Sequence, residues 1–297
     1  MNTNNFIEFK KERDLGAMIT DAFRFFREQW KPFFTSIIKI SLVPILLVIA
    51  LGVFFLISFS DILGSFLTFE NPETLLLKTV NYGSFFMLST IILCFYLVAN
   101  VMITASSMYY LKSYIENQGK VDYDYVKQMT FNKFWSFVGL SLVTGTIVFI
   151  GLIFCFLPGV YLGVILSLSS CLLVFYEKGV LDALSDSFAF VKGHWWETFG
   201  ILLVIILLIV VLNYATQIPV TIYQFIKIGT TVIDGTTSKE IVNQFKDPVY
   251  LLLLSFSYFF KFLLYTLELL VTVFIFFDIN EQKNNAGALE KIATIGN

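Results

Sequence analysis

The sequence predicts an all-α fold: a polytopic membrane helical bundle of about six transmembrane helices. Three observations carry this: long runs with no charged residue, a composition unsuited to water, and amphipathic stretches that introduce the runs. The chain of 297 residues is 57% hydrophobic and 14% charged, with a mean hydropathy of +0.78. Soluble domains have roughly 45–50% apolar and ~25% charged residues. The solvent for most of this chain is therefore lipid.

A hydrocarbon core ~30 Å thick needs about 20 apolar residues in a helix. The first element is amphipathic. Leu15, Met18, Ile19, Ala22, Phe23, Phe26 and Trp30 recur at helical spacing, and Lys11, Arg13, Asp14, Asp21, Arg24, Arg27 and Glu28 take the other face. It reads as a helix lying in the interface on a basic side suited to anionic headgroups, with Pro32 breaking it from the span that follows. Residues 40–60 form the first span, with Pro44 kinking it and Ser41 or other helices relieving the freed carbonyl. Residues 79–111 form the second. The run 134–176 is too long for one span, and Pro158-Gly159 divides it into two helices joined by a tight turn. Residues 198–226 supply the fifth span, with Pro219 near its end. The sixth, 249–277, opens on the N-cap pair Asp247-Pro248 and alone carries internal charges, Lys261 and Glu268.

Lysine and arginine fix the orientation, because cytoplasmic flanks carry an excess of them. The N-terminal flank holds Lys10, Lys11, Arg13, Arg24, Arg27 and Lys31, and the connection after the second span holds Lys112, Lys120, Lys127 and Lys133. Both are placed in the cytoplasm, as are both termini. The connection after the first span, with Asp61, Glu70, Glu73 and only Lys78, belongs outside, as does the uncharged turn at Pro158. The segment 227–246 carries three lysines against this rule, and the N-terminal bias outweighs it. The segment MNTNNFIEFKKERDLG has no short apolar region followed by a cleavage site, so the first span is expected to act as its own targeting signal. The abundance of Phe, Ile, Leu, Lys and Asn suggests an AT-rich bacterial genome, and a bacterial inner membrane is the expected location.

The amphipathic grammar returns. Before the fifth span, Leu181, Leu184, Phe188, Val191 and Trp195 form a stripe, with Asp182, Ser185, Asp186 and Lys192 facing away. Ala17, Trp30 and Phe33 have the spacing of Ala183, Trp196 and Phe199. A weaker copy, Val121, Tyr125 and Met129, precedes Phe134-Trp135-Ser136-Phe137. The expected organisation is one membrane domain of three tandem units, about 11–118, 119–178 and 179–282, with a polar tail at 283–297. Each unit joins an interfacial helix, a boundary tryptophan and a two-helix hairpin. Even numbers of crossings make these parallel repeats, whereas many secondary transporters use inverted ones.

The stretch Glu177-Lys178-Gly179, Ala183-Leu184, Ser187, Phe190, Lys192-Gly193 and Trp195-Trp196 resembles bacterial six-helix proteins grouped with the membrane domain of glycerophosphoryl diester phosphodiesterases. The resemblance implies six spans and an N-terminal amphipathic helix. It does not bring the phosphodiesterase activity with it, which in the named enzymes resides in a separate soluble barrel for which this chain has no room. The family supplies no established catalytic residues to place on this sequence.

Candidates for chemistry are few. His194 is the only histidine and lies at the expected headgroup level, so a catalytic triad or a histidine-pair metal site is not expected. Cys94, Cys155 and Cys171 all fall inside apolar runs, with neither a disulfide framework nor paired ligand spacing, so no cofactor or metal is implied. Glu177, Asp182 and Asp186 could suggest a cation site, but a solvated polar face accounts for them better. Ionisable residues within spans are costly and usually face a partner or a wet cavity. Lys261 and Glu268 lie two turns apart with Tyr265 between them, and Asn213 and Gln217 on the fifth span and Asn100, Thr104 and Ser107 on the second are the expected partners. The bland alternative has Lys261 snorkelling outward and Glu268 held by an amide or hydroxyl. Gly159, Gly163, Ser167 and Cys171 recur every four residues and suit close helix packing in the monomer, or in a homo-oligomer. Trp30, Trp135, Trp195 and Trp196 are the expected interfacial anchors. A net charge of −2 excludes the basic profile of a nucleic-acid binder.

The role these features favour is non-enzymatic, a scaffold or accessory in envelope or lipid homeostasis that engages membrane lipids and a protein partner or a second copy. The rival is a transporter or lipid-handling channel with a polar path near Lys261 and Glu268. A membrane-embedded lipid enzyme is the third class.

Overall fold

The computed structural model describes residues 6–67, 72–233 and 244–285, with the backbone alone for 61–67, 72–82, 228 and 230–233. The loop charges Asp61, Glu70, Glu73, Lys78 and Lys239, and the tail beyond 285, lie outside the described residues or side chains.

The described chain is all helical. In order it forms α1 (Leu15–Leu67), α2 (Pro72–Glu116), α3 (Tyr123–Asn132), α4 (Phe134–Phe154), α5 (Phe156–Leu166), α6 (Ser169–Phe175), α7 (Val180–Val191), α8 (Trp195–Ile233) and α9 (Pro248–Asn284). Six segments are long and apolar enough to cross a membrane: Leu15–Ser60, Gly83–Glu116, Phe134–Phe154, Phe156–Phe175, Trp195–Lys227 and Pro248–Asn284. The protein is a polytopic helical membrane protein.

The chain divides into two compact units. Unit 1 comprises Met1–Ser41, Val101–Ile209 and Tyr265–Asn297, and unit 2 comprises Leu42–Asn100 and Val210–Leu264. Unit 1 is built on an aromatic core that includes Phe9, Phe25, Phe33, Tyr110, Tyr114 and Phe274, all fully buried. Phe33 meets Tyr110 edge-on at 5.0 Å, and Phe25 meets Tyr114 at 5.2 Å. In unit 2, Phe55 packs on Phe85 at 4.6 Å, and the Ser257 hydroxyl donates to the Thr216 carbonyl at 2.6 Å.

Several sequence expectations need correction. Pro32 does not break α1, which runs unbroken through it and on through Pro44. Met18, Ala22, Phe25, Phe33, Ile37, Ser41 and Ile45 form one buried stripe across Pro32, so packing on both sides outweighs the single lost hydrogen bond. Ser41 Oγ makes no hydrogen bond among the described residues and does not relieve Pro44. Of the amphipathic stripe, Met18 and Ala22 are buried while Leu15, Phe23 and Trp30 are exposed, and Phe25, outside the stripe, is buried as well. In α3 the buried positions are Val126 and Thr130, and Tyr125 and Met129 of the amphipathic stripe are half-buried. In α7 they are Ala183, Leu184, Ser187, Phe190 and Val191, and Leu181 and Phe188 are exposed.

The middle hairpin turns at Cys155, three residues before Pro158, and Pro158 falls within the first turn of α5. A Cβ built on Gly151 would stand 2.9 Å from the Gly159 Cα, and one on Gly159 would stand 2.5 Å from the Leu152 side chain. Only glycines allow the two arms to approach this closely. The fourth expected span is interrupted at Ser167-Leu168, between α5 and α6. Asp247 caps α9 as expected, accepting from the amides of Val249 at 2.9 Å and Tyr250 at 3.3 Å. A hydrogen bond from Tyr223, the two amides and Lys227 at 3.3 Å hold the Asp247 carboxyl below the usual carboxylate range.

Candidate functional site

The most heavily determined polar arrangement in unit 1 gathers around the C-terminal turns of α9. Two of three connections, through Arg13 and Lys283, meet α9 directly, and the other, through Lys112, ties α2 to the segment before α7.

The first is the extended N-terminal strap, residues 6–14. Ile7 and Phe9 alternate into the core, and Phe9 stacks on Phe274 with ring centroids 4.3 Å apart. The Ile7 amide donates to the Tyr114 hydroxyl at 3.2 Å. Arg13 ends the strap with a side chain that is 0% exposed. Its Nε donates to Asp21 at 2.9 Å, one terminal nitrogen donates to the carbonyls of Phe9 at 2.8 Å and Lys11 at 3.1 Å, and the other donates to the Glu8 carbonyl. The Arg13 amide donates to Asp278 at 2.6 Å, and the guanidinium lies 4.8 Å over the Phe274 ring. Burial pushes the guanidinium below its ordinary value while Asp21, Asp278 and Glu8 pull it back up. An arginine remains a cation throughout.

The second connection is Lys112, buried near the end of α2. Its ammonium donates to Glu177 at 2.7 Å and to the Val174 carbonyl at 3.1 Å. This hydrogen bond holds the Glu177 carboxyl below the usual range, and Glu177 takes a left-handed φ of 53° to make it. The third is Lys283, which donates to the carbonyls of Ala189 at 2.9 Å and Phe190 at 2.7 Å, satisfying the open C-terminal end of α7. Beside it the Tyr176 hydroxyl donates to Asn280 at 2.6 Å, and burial raises the phenol above its ordinary value.

Sequence reasoning missed this latch. Arg13 and Lys112 count in the positive flanks that orient the chain, yet both are buried and face protein. The Phe6-Ile7-Glu8-Phe9 alternation inside a charged flank was the available signal.

The resemblance motif maps onto the same region as packing and turns. Ala183, Leu184, Ser187 and Phe190 are the buried face of α7, and Gly193 takes the positive φ of 90° that turns α7 into α8. Glu177 and Asp186 are each paired with a lysine, Lys112 and Lys178, and Asp182 lies exposed, so they do not converge on a cation. His194 sits 3.6 Å from Glu197. Among the described residues there is no group of three His, Cys, Asp or Glu able to hold a metal.

The intramembrane polar candidates are dispersed. In unit 2, Asn100 turns its amide back to the Tyr96 carbonyl at 2.8 Å, Asn213 and Gln217 are half-buried, and Lys261 is exposed. In unit 1, the Thr104 and Tyr265 hydroxyls meet at 3.2 Å, Ser107 Oγ is buried with no hydrogen-bond partner among the described residues, and Glu268 is half-buried near the midpoint of α9. Gly163 has open space where a Cβ would sit, and Cys171 is buried with its thiol 3.9 Å from the Thr272 carbonyl. Ser167 closes α5 and donates its hydroxyl to the Val164 carbonyl at 2.8 Å. Of the tryptophans, Trp30, Trp135 and Trp196 are exposed and Trp195 is half-buried.

Compared with known protein families, curated proteins and solved structures, the chain finds no match among any of the three.

Proposed function

We propose that the protein is a non-enzymatic scaffold or accessory of a bacterial inner membrane, with both termini cytoplasmic, serving envelope or lipid homeostasis by engaging membrane lipids and a protein partner or a second copy. The three tandem units and the kinship with six-helix membrane domains of the phosphodiesterase group are part of this reading. One observation carries it: the buried cations Arg13 and Lys112 are saturated by fixed protein contacts, while Trp30, Trp135 and Trp196 remain exposed. Charge here locks a frame, and the aromatic surface is left for the membrane. Cross-linking and detergent-free pull-down from native membranes should recover a stable partner or self-association. A clean monomer with no partner contradicts the reading.

One observation favours a transporter or lipid-handling path as a second reading. Glu268 is an ionisable group near the middle of a span, on the same helix as the Tyr265 that meets Thr104. Under the scaffold reading, Glu268→Gln with Lys261→Ala restores a deletion strain fully. Loss of rescue with normal membrane levels transfers the conclusion to the polar path.

A further inference from the structure

We infer that the α4–α5 hairpin does not cross the bilayer but enters a single leaflet as an apolar wedge. Its partner is the acyl-chain layer directly beneath the headgroups at which α7 lies. This rests on the membrane-embedded fold alone and is independent of the scaffold role.

Helix length is the first ground. α5 has 11 residues and α6 has seven, with a break at Ser167-Leu168 between them. End to end, Phe156–Phe175 has 20 residues and α4 has 21, about 30 Å each, so the hairpin's arms reach across a core of ~30 Å with nothing to spare, and one of them is interrupted. α1, α2, α8 and α9 each have at least 37 residues, ample for crossing. Four crossings, like six, leave both termini on one side.

The second ground is where α7 lies against the hairpin. At its start, Val180 lies 3.9 Å from a Cβ built on Gly139, near the base of α4. Just past its end, Trp195 stacks on Tyr161 at 5.4 Å and its indole N–H donates to the Tyr161 carbonyl at 3.4 Å. α7 therefore flanks the hairpin from base towards tip. Tyr161 is only six residues beyond Cys155, about 9 Å along the helix axis. A crossing hairpin would hold its tip about one bilayer core, ~30 Å, from a residue at the opposite headgroup layer.

The chemistry of α7 sets the depth. Asp182 and Lys192 are exposed, and Lys178 pairs with Asp186 at 3.1 Å with both side chains nearly half exposed. Hydrocarbon does not accept such a surface without large cost, so α7 and the hairpin side it flanks lie at headgroup level. The tip is the opposite in character. Phe154 is 84% exposed, Leu157 73% and Phe156 70%, and no residue from Phe134 to Tyr176 is charged. Water is a poor solvent for that tip, and the acyl layer next to the headgroups is the apolar phase within reach. The Gly151–Gly159 approach keeps the wedge thin.

The test is a pair of spin labels on the full chain in nanodiscs of phosphatidylethanolamine and phosphatidylglycerol. Leu157→Cys and Glu197→Cys are placed in a background carrying Cys94→Ser, Cys155→Ser and Cys171→Ala. A parallel pair with Phe154→Cys guards against a tip substitution that fails to fold. The wedge predicts a distance centred near ~20 Å, from the helical rise and the Trp195–Tyr161 contact, with the tip label reached by oxygen and shielded from an aqueous nickel chelate. A distance at or above the bilayer core of ~30 Å overturns the inference. So does a short distance with a nickel-accessible tip, which would place the hairpin in water.

Discussion

Arg13 shows how far a residue's setting can depart from what its charge announces. In the sequence it belongs to a basic flank and should face headgroups; in the fold it is sealed beneath Phe274, with Asp21 and three carbonyls filling its fork. Removing one partner of a buried pair costs about 3–5 kcal/mol. Arg13→Ala should therefore lower the thermal midpoint in detergent markedly, and Arg13→Lys should recover little, because an ammonium cannot reproduce a planar fork. Glu177 makes a smaller contribution with a definite sign. Its carboxyl is depressed by Lys112, so the pair contributes stability above the unfolded carboxylate value, and this is lost as pH falls through the depressed folded value. Glu177 is 75% exposed, so solvent screening keeps the effect small. The midpoint difference between wild type and Glu177→Gln should be present at neutral pH and vanish in acid well below the ordinary glutamate value of about 4.3. Charge counting could not reveal Arg13 or Lys112 as buried, since burial depends on partners from distant segments, Phe274 over Arg13 and the Val174 carbonyl and Glu177 at Lys112.

Among the elements, hydropathy located every long apolar run, and it failed where a boundary depends on tertiary packing. Pro32 reads locally as a helix breaker, but the stripe Met18, Ala22, Phe25, Phe33 and Ile37 is buried on both sides of it and holds α1 in one piece. The every-fourth small-residue pattern reads as one packing seam, whereas the break at Ser167-Leu168 divides it, and within α5 itself Gly159 packs on Leu152 of α4 while Gly163 borders open space. A paired substitution separates them. Gly159→Ala forces Leu152 to shift and should destabilise by about 1–3 kcal/mol, as overpacking does. Gly163→Ala meets open space and should be neutral or slightly stabilising, since Ala is the better helix former. Thermal unfolding of the two variants in one detergent checks both. The strap is the element that hydropathy is least equipped to find, because nine residues with three buried side chains, Ile7, Phe9 and Arg13, give no periodic signal. Phe9→Ala should cost about 3–5 kcal/mol, the range for a buried aromatic. Limited proteolysis should then cut earlier within residues 6–14.

For the whole molecule, the solvent is the legible property and the organisation is the hidden one. Composition alone required lipid, and six apolar segments of spanning length are present. The two compact units were not legible, because each gathers segments far apart in sequence and their boundaries fall inside long helices where composition does not change. The latch is likewise a product of assembly: the strap, the end of α2 and the end of α7 reach their partners only in the folded unit 1. The account depends most on chain direction through the bilayer, with the connection after α2 cytoplasmic and the connection before α9 external. Reporter fusions inserted after Asn117 and at Gly235, read with a fluorescent protein that matures only in the cytoplasm and an enzyme active only outside it, measure this directly. The account predicts cytoplasmic signal alone at Asn117 and external signal alone at Gly235; the same signal at both positions would contradict it.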